Sequence, residues 1–345
     1  MIDKIHKYFL DNPMDLKEYH LGNIKRNELI LKLHTTNHYL QKYFEKYNIP
    51  TYFDYLYSHT NHDFFHNIDN EIKAYLLGFY FADGYINKNR MCISVSENDM
   101  YILELFQRYI SPFSKIHIFK SRQNKKTGYI SKPLGFISIN SSEICERLKF
   151  YGMGSRKTWS SNITSFDFIP DHLFRHFLRG YFDGDGTVYA GKQYINYKNT
   201  KILSESFNWS IISYKKDHLI LIQSIMKRLY DIDMNILTQK TPNKNQCYLL
   251  SVNKKKHFFL LKKILYKDSA FYLRRKKEKY DNIKTEYPIS YIIKENILTH
   301  ETEKYNSLGE AARYNNVSDT TIKNWIKLNK CIDNHIYYKI IEEVN

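Results

Sequence analysis

The stretch Tyr75-Leu-Leu-Gly-Phe-Tyr-Phe-Ala-Asp-Gly84 returns later in the chain as Phe177-Leu-Arg-Gly-Tyr-Phe-Asp-Gly-Asp-Gly186. The aspartates before the two final glycines, Asp83 and Asp185, lie 102 residues apart. The surroundings repeat as well. After the first stretch come the β-like run Cys92–Ser96 and a helix expected to start at Asp99, with Ile102, Leu103 and Phe106 on one face. After the second come Trp209–Tyr214 and a helix expected to start at Asp217, with Ile220, Leu221 and Ile225. Aspartate is a favoured N-cap, so Asp99 and Asp217 are expected to cap these helices. Further on, Phe136–Asn140 pairs with Leu249–Asn253, each followed by an amphipathic segment. The halves close on the basic pairs Arg156-Lys157 and Arg275-Lys276. Each unit therefore reads helix, strands, helix, strands, helix, and two such units imply two pseudo-symmetric subdomains. The second carries a polar insertion, about residues 189 to 207, expected to be a loop.

The repeated segment has a physical logic. Gly78 and Ala82 are four residues apart and share a helix face, as do Gly180 and Gly184. Small residues on one face let two helix backbones approach closely. If the helices pack face to face, their ends meet and set Asp83 beside Asp185, each followed by a glycine expected to stop its helix. Two neighbouring carboxylates repel, and the helix C-terminus disfavours each of them. A divalent cation resolves both conflicts, and Mg²⁺ prefers oxygen ligands of this kind. Paired metals beside a phosphate can activate water and stabilise a leaving oxygen. A single Asp-Gly is as readily an ordinary helix-ending turn; two copies in matched context argue for chemistry.

Composition bounds the function. The chain has 345 residues, with 52 Lys and Arg against 36 Asp and Glu, a net charge of +16. That excess suits a polyanionic partner. The 31 Tyr and 21 Phe can stack on bases, though core filling is the default use of so many aromatics. Cys92, Cys145, Cys247 and Cys331 form no CxxC or Cys/His cluster, so neither zinc nor disulfides are expected, and a reducing cytoplasm is. The longest apolar run, Ala74 to Ala82, is too short for a bilayer, and no signal-peptide pattern opens the chain. No membrane association is expected.

Leu76–Gly84 and Leu178–Gly186 fill the nine positions of the LAGLIDADG motif, and over about residues 70–282 the chain resembles the two-motif, single-chain LAGLIDADG homing endonucleases. Phe81 replaces the motif's first Asp, which Asp183 keeps; the second Asp, the family's metal ligand, is present as Asp83 and Asp185. The resemblance implies an α+β fold: two pseudo-symmetric αββαββα subdomains whose saddle-shaped antiparallel sheets lie along the DNA major groove. It implies Mg²⁺-dependent hydrolysis of both strands of double-stranded DNA by a monomer. The metal would be held by Asp83 and Asp185, with the backbone carbonyls of Ala82 and Gly184. Lys157 stands where the family often carries a charge-stabilising lysine and Lys276 is its equivalent by the internal repeat, with Arg275 a rival to Lys276 and with Arg156 and Arg275 available to DNA; phosphate contact is their plainer reading. The competing function is a non-cleaving DNA-binding regulator or an intron RNA maturase on the same scaffold. A degenerate regulator often loses one motif Asp, and this chain keeps both.

The flanks lie outside the repeat, which divides the chain into residues 1–68, 69–169, 170–282 and 283–345. In the first segment, apolar Ile30, Leu33, Leu40, Phe44 and Ile49 with a break near Thr35-Thr36 suggest two short helices. These read as a helix-turn-helix offering His38, Gln41 and Lys42 to DNA, or as a plain helical hairpin. In the last segment, residues 281–305 are expected to be a tether. Ser307 to Glu310 is a capping-box start, and a turn at residues 315–317 leads to a helix capped by Ser318. Ile322 and Ile326 would face inward, with Thr320, Thr321, Lys323 and Asn324 toward DNA. This segment resembles the helix-turn-helix modules attached to homing endonucleases.

Overall fold

The structure, a computed structural model, describes residues 1–121, 128, 130, 132–154, 163–197, 200–240, 246–283, 289–305 and 307–342. The two halves have the same element order. The first runs α6 (Glu71–Asp83), β1 (Gly84–Asn87), β2 (Arg90–Ser96), α7 (Tyr101–Ile110), β3 (Ile116–Phe119), β4 (Leu134–Asn140) and α8 (Ser142–Phe150). The second runs α9 (Asp171–Asp185), β5 (Gly186–Tyr197), β6 (Thr200–Ser213), α10 (Lys216–Tyr230), β7 (Asn235–Lys240), β8 (Gln246–Val252) and α11 (Lys255–Tyr266), followed by α12 (Arg274–Asp281). Both four-stranded sheets are antiparallel, ordered β1-β2-β4-β3 and β5-β6-β8-β7. Their registers match. Gly84 pairs with Ile93 and Ile93 with Ile137; Gly186 pairs with Ile211 and Ile211 with Leu250. The fold is α+β, two pseudo-symmetric αββαββα subdomains sharing one hydrophobic core from Phe64 to Tyr291.

At the centre of that core α6 and α9 lie against each other. Residues 74–82 of α6 are all buried, so the helix is apolar all round, as an interior helix must be. Gly78 sits against the other helix so closely that a Cβ there would stand 2.0 Å from Phe177 O. Gly180 is its mirror, with a Cβ position 2.1 Å from Tyr75 O, and Gly184 faces Ala82. The small-residue faces read from the sequence thus form the subdomain seam. At the helix ends, Gly84 and Gly186 do not adopt the left-handed stop expected of them; their φ values are −81° and −85°. A side chain is excluded there for another reason. A Cβ would meet the ring of Tyr80 or Phe182 at 2.1 Å, because each chain turns directly from helix into strand over its own aromatic.

Several expectations need correction. Neither Asp99 nor Asp217 caps a helix. Asp99 ends a 3-10 turn and instead takes an ion pair from Arg275 Nε at 3.0 Å, while Asp217 lies inside the first turn of α10. Residues 189–197 and 200–207 are not a loop but the outer part of a long ribbon, β5 with β6, paired from Gly186↔Ile211 to Tyr197↔Thr200. Tyr194 and Leu203, paired across it, are both exposed. Beyond Ala190 and Phe207, which pack on the core, the described side chains of the ribbon are not buried, and such a segment needs no apolar alternation and reads as loop.

The ends add two small bodies. Residues 2–58 form five helices: α1 (Ile2–Asp11), α2 (Pro13–His20), α3 (Arg26–Lys32), α4 (Asn37–Lys46) and α5 (Tyr52–Ser58), closed on their own core of Ile5, Leu29, Leu33, Leu40 and Phe44. In α3 Leu29, rather than Ile30, is the fully buried residue. This unit is joined to the first half by Asn61 N to Ile110 O at 2.7 Å and Tyr57 Oη to Glu143 at 2.7 Å.

At the other end, the expected tether contains β9 (Ile289–Asn296) and β10 (Thr302–Tyr305), which form a sheet with β11 (His335–Glu342) in the order β10-β9-β11. One face, with Ile292 and Tyr337, packs on α13 (Leu308–Tyr314) and α14 (Asp319–Lys327); the other, with the paired Tyr291 and Ile340, packs on the main core. Covered on both faces, β9 carries Tyr291-Ile292-Ile293 as a continuous apolar run. Ser307 and Ser318 cap α13 and α14 through Glu310 N and Thr321 N, and Asn316 between them takes φ +55°.

Because the atoms facing Gly78 and Gly180 are backbone, they cannot rotate away. Gly78→Ala and Gly180→Ala should each lower unfolding free energy by about 3 kcal/mol, read from the urea midpoint. An unchanged midpoint would show that the seam is looser than described.

Candidate active site

The close packing of α6 and α9 brings the two motif aspartates to one place. Asp83 and Asp185 end their helices and are both half-buried. Asp83 Oδ2 lies 3.0 Å from the point where a Cβ on Gly184 would stand, so the missing side chain leaves a notch into which the carboxylate fits. Of the carbonyl carriers, Ala82 is buried and Gly184 half-buried between the two aspartates. The arrangement is a pair of carboxylate oxygen donors, suited to a hard divalent cation, with Ala82 and Gly184 as their neighbours in the chain. Among the described residues no group of three or more His, Cys, Asp or Glu could hold a metal ion.

Lys276 belongs to α12, which follows the second half. Its Nζ donates to Phe182 O at 2.9 Å, Gly184 O at 3.3 Å and Gly186 O, gripping the carbonyls that end α9. A cation there opposes the negative end of the helix dipole. Burial brings its pKa down to about 8, against the raising pull of Asp183, Asp185 and Asp83. Arg275 points elsewhere, to Asp99. Arg156 and Lys157 lie outside the described residues.

Behind the aspartates is a buried polar frame that the sequence reading missed. Asp183 is fully buried and accepts from Tyr75 Oη at 3.0 Å, Tyr266 Oη at 2.7 Å and Leu273 N at 2.6 Å. Burial pushes its carboxyl up to about 6 despite these donors. One turn away, Arg179 is buried completely. It donates to Glu71 Oε1 at 2.7 Å, Phe271 O at 2.7 Å and Leu265 O at 2.8 Å. Burial raises the Glu71 carboxyl, but the hydrogen bond from His176 and the charge of Arg179 outweigh it and bring the group to about 2. The frame links α6, α9 and the end of α11. The sequence signals were two charged residues inside the second motif, Arg179 and Asp183, where the first motif has Leu77 and Phe81.

A cavity of about 260 Å³ opens beside Asp185, lined also by Tyr181, Ser213, Lys215 and His218. His218 is buried, and its Nε2 accepts from Ile163 N at 3.3 Å, which requires a neutral ring. Burial lowers its pKa to about 4.

The flanking candidates are dispersed. His38 and Lys42 are exposed on α4, whereas Gln41 accepts from Arg26 at 2.8 Å and donates to Glu45. On α14, Thr320, Lys323 and Asn324 are exposed, and Thr321 is half-buried with its hydroxyl on Ser318. Among the described residues no helix is long and apolar enough to cross a membrane.

The family model of the LAGLIDADG-like domain matches residues 70–152 and 174–264. A curated relative, the DNA-directed RNA polymerase subunit Rpo1C of Methanocaldococcus jannaschii, is 29% identical over 214 residues. The match covers 56% of this chain and 23% of the relative, so the chain spans about a quarter of that relative's length. Among solved structures, full-length DUF199/WhiA from Thermatoga maritima aligns with a TM-score of 0.36 and 18% identity, over 61% of this chain and 58% of that one. The homing endonuclease I-WcaI bound to its DNA recognition sequence aligns at 0.42 and 15%, over 62% and 90%.

The His218 ring fixes a pH response. Its folded pKa lies below the ordinary 6.5, so its contribution is present above pH 6.5 and lost as pH falls toward 4. Relative to His218→Gln, the wild-type chain should lose stability on the order of 3 kcal/mol across that window. A difference flat with pH, in parallel denaturation series, would contradict the buried neutral ring.

Proposed function

This chain belongs to the LAGLIDADG-like domain family, whose model matches both halves, and on that premise we propose that it is a site-specific homing endonuclease hydrolysing both strands of a long double-stranded DNA target. The observation that carries the reading is the seam: two helices notched by Gly78 and Gly180, ending in Asp83 and Asp185 with one carboxylate against Gly184. Two carboxylates at the meeting ends of paired helices have little use in stabilising a fold, since their repulsion opposes it. It suits the binding of a cation.

Asp83 and Asp185 would hold Mg²⁺, with the carbonyls of Ala82 and Gly184 as neighbouring donors, water and DNA phosphate completing the shell. When bound, the metal supplies positive charge to the scissile phosphate and lowers the pKa of a ligated water. Lys276, low in pKa and fixed on the α9 carbonyls, keeps a cation beside the second aspartate and offsets charge gathering on the phosphate; Lys157 would act likewise in the first half. The uncovered sheet faces would lie along the major groove, reading base edges through alternate side chains. Arg156, Arg275, His38, Gln41, Lys42, Thr320, Thr321, Lys323 and Asn324 would add contacts, with the C-terminal helices acting as a helix-turn-helix. One chain carries both halves, so the enzyme would act as a monomer.

A duplex library with a randomised target, incubated with Mg²⁺, tests this. Wild-type protein should yield a recurrent double-strand cut that chelation abolishes. Asp83→Asn and Asp185→Asn should each reduce cutting by at least about 10³-fold while leaving affinity within a few-fold. Full cutting by either variant would overturn the assignment. For the C-terminal module, Lys323→Ala with Lys327→Ala should lessen the salt slope of binding by roughly 0.9 per lost phosphate contact; an unchanged slope would assign α14 to something other than DNA.

A further inference from the structure

The two sheets differ in reach at the end away from the aspartates. In the second half the β5–β6 ribbon continues for eight residues beyond Tyr189, the counterpart of Asn87, to Tyr197. At ~3.3 Å per residue that is about 26 Å, or roughly 8 base pairs of duplex. In the first half, hairpin β1–β2 closes at once, at Asn87↔Arg90. The N-terminal helices lie near that end of the first sheet.

Between those helices and the sheet lies a groove of about 580 Å³. The helical side brings Lys25 and Arg26; the sheet side brings Arg90, Lys115 and His117; no Asp or Glu lines it. The strand register fixes which way it opens. Arg90 pairs with Asn140, and His117 pairs with Phe136, two residues from Ser138. These side chains therefore share one face, opposite the buried Met91, Ile93, Ile137 and Ile139. It is the uncovered face. The Arg26 guanidinium is held by Asn37 Oδ1 at 2.7 Å and Gln41 Oε1 at 2.8 Å, neutral amides that orient it and leave its charge intact. Lys115 Nζ donates to Gly22 O and ties the unit to the sheet. The carboxylate of Glu28 is turned to the N-terminus of α3, accepting from Lys25 N at 2.9 Å.

We propose that this groove is a subsite for the DNA backbone, which holds phosphates of the duplex where it leaves the first sheet. The N-terminal unit then does for the first half what the long ribbon does for the second. The groove of Lys25, Arg26, Arg90 and Lys115 adds phosphate contacts to those proposed for α4. Positive charge without lining acids fits an oligoanion, and continuity with the uncovered sheet face selects DNA among oligoanions. The inference rests on the endonuclease reading.

The test uses the full chain and the duplex recovered from the cleavage library. Lys25→Ala with Arg90→Ala should reduce the log–log salt slope of binding by about 1.8, two phosphate contacts at roughly 0.9 each. Lys25→Arg with Arg90→Lys should restore it, and matching thermal transitions would show that the alanine variant is folded. Wild-type affinity should fall when about 8 base pairs are trimmed from either end of the duplex; the alanine variant should be insensitive at one end. Equal sensitivity at both ends, or an unchanged slope, overturns the subsite while Mg²⁺-dependent cutting by the wild type still upholds the endonuclease. A wild-type chain that neither binds nor cuts any duplex overturns both.

Discussion

Two helices cannot pack backbone to backbone unless each presents a residue without a side chain at the point of contact. In this protein those residues are Gly78 and Gly180, each lying on the other helix's main chain near Phe177 and Tyr75. The rest of the molecule follows from that contact. The reciprocal pairing sets the pseudo-twofold relation of the halves, and the relation makes Asp83 and Asp185 neighbours. It also makes the two sheets diverge from one point, each starting at the glycine that ends its motif helix. A larger residue at either notch would separate the halves and with them the carboxylates.

Bringing anions to the ends of two helices has an electrostatic cost, and the surrounding residues offset it unequally. Behind the second motif, Lys276 is fastened to two carbonyls of α9 and to that of Gly186, Asp183 is enclosed by two tyrosine hydroxyls and a backbone N–H, and Arg179 is satisfied by Glu71 and two carbonyls. The first motif has Phe81 where the second has Asp183, and it packs on the rings of Phe166 and Phe177. The halves are thus symmetric in backbone and asymmetric in chemistry. One polypeptide can tune its two half-sites separately, which a symmetric pair of identical chains cannot.

The repeat made most of this legible in the sequence, because a motif copied with its neighbours constrains the fold more than either copy alone. The small-residue helix faces and the order helix, strands, helix, strands, helix were readable from spacing and the repeat, and the αββαββα pairing of strands from the family resemblance. What escaped reading had physical causes. The described outer residues of the β5–β6 ribbon are largely uncovered and β9 is covered on both faces, so neither shows the one-sided alternation that marks a strand. Asp99 and Asp217 looked like caps because a local rule favours them there, but a partner far along the chain, Arg275, claimed Asp99. The frame of Arg179, Glu71, Asp183, Tyr75 and Tyr266 joins residues up to 195 positions apart, and only the fold brings them together.

In the proposed endonuclease one chain supplies both halves of a single cutting centre, because α6 packs on α9 of the same molecule. The most direct measurement is a titration of supercoiled plasmid carrying one recovered target site, with Mg²⁺ present and the plasmid far above the dissociation constant. Linear product should reach its plateau at one chain per site, with both strands cut in the same binding event. A plateau at two chains per site would contradict it, since the motif helices would then be pairing between molecules rather than within one.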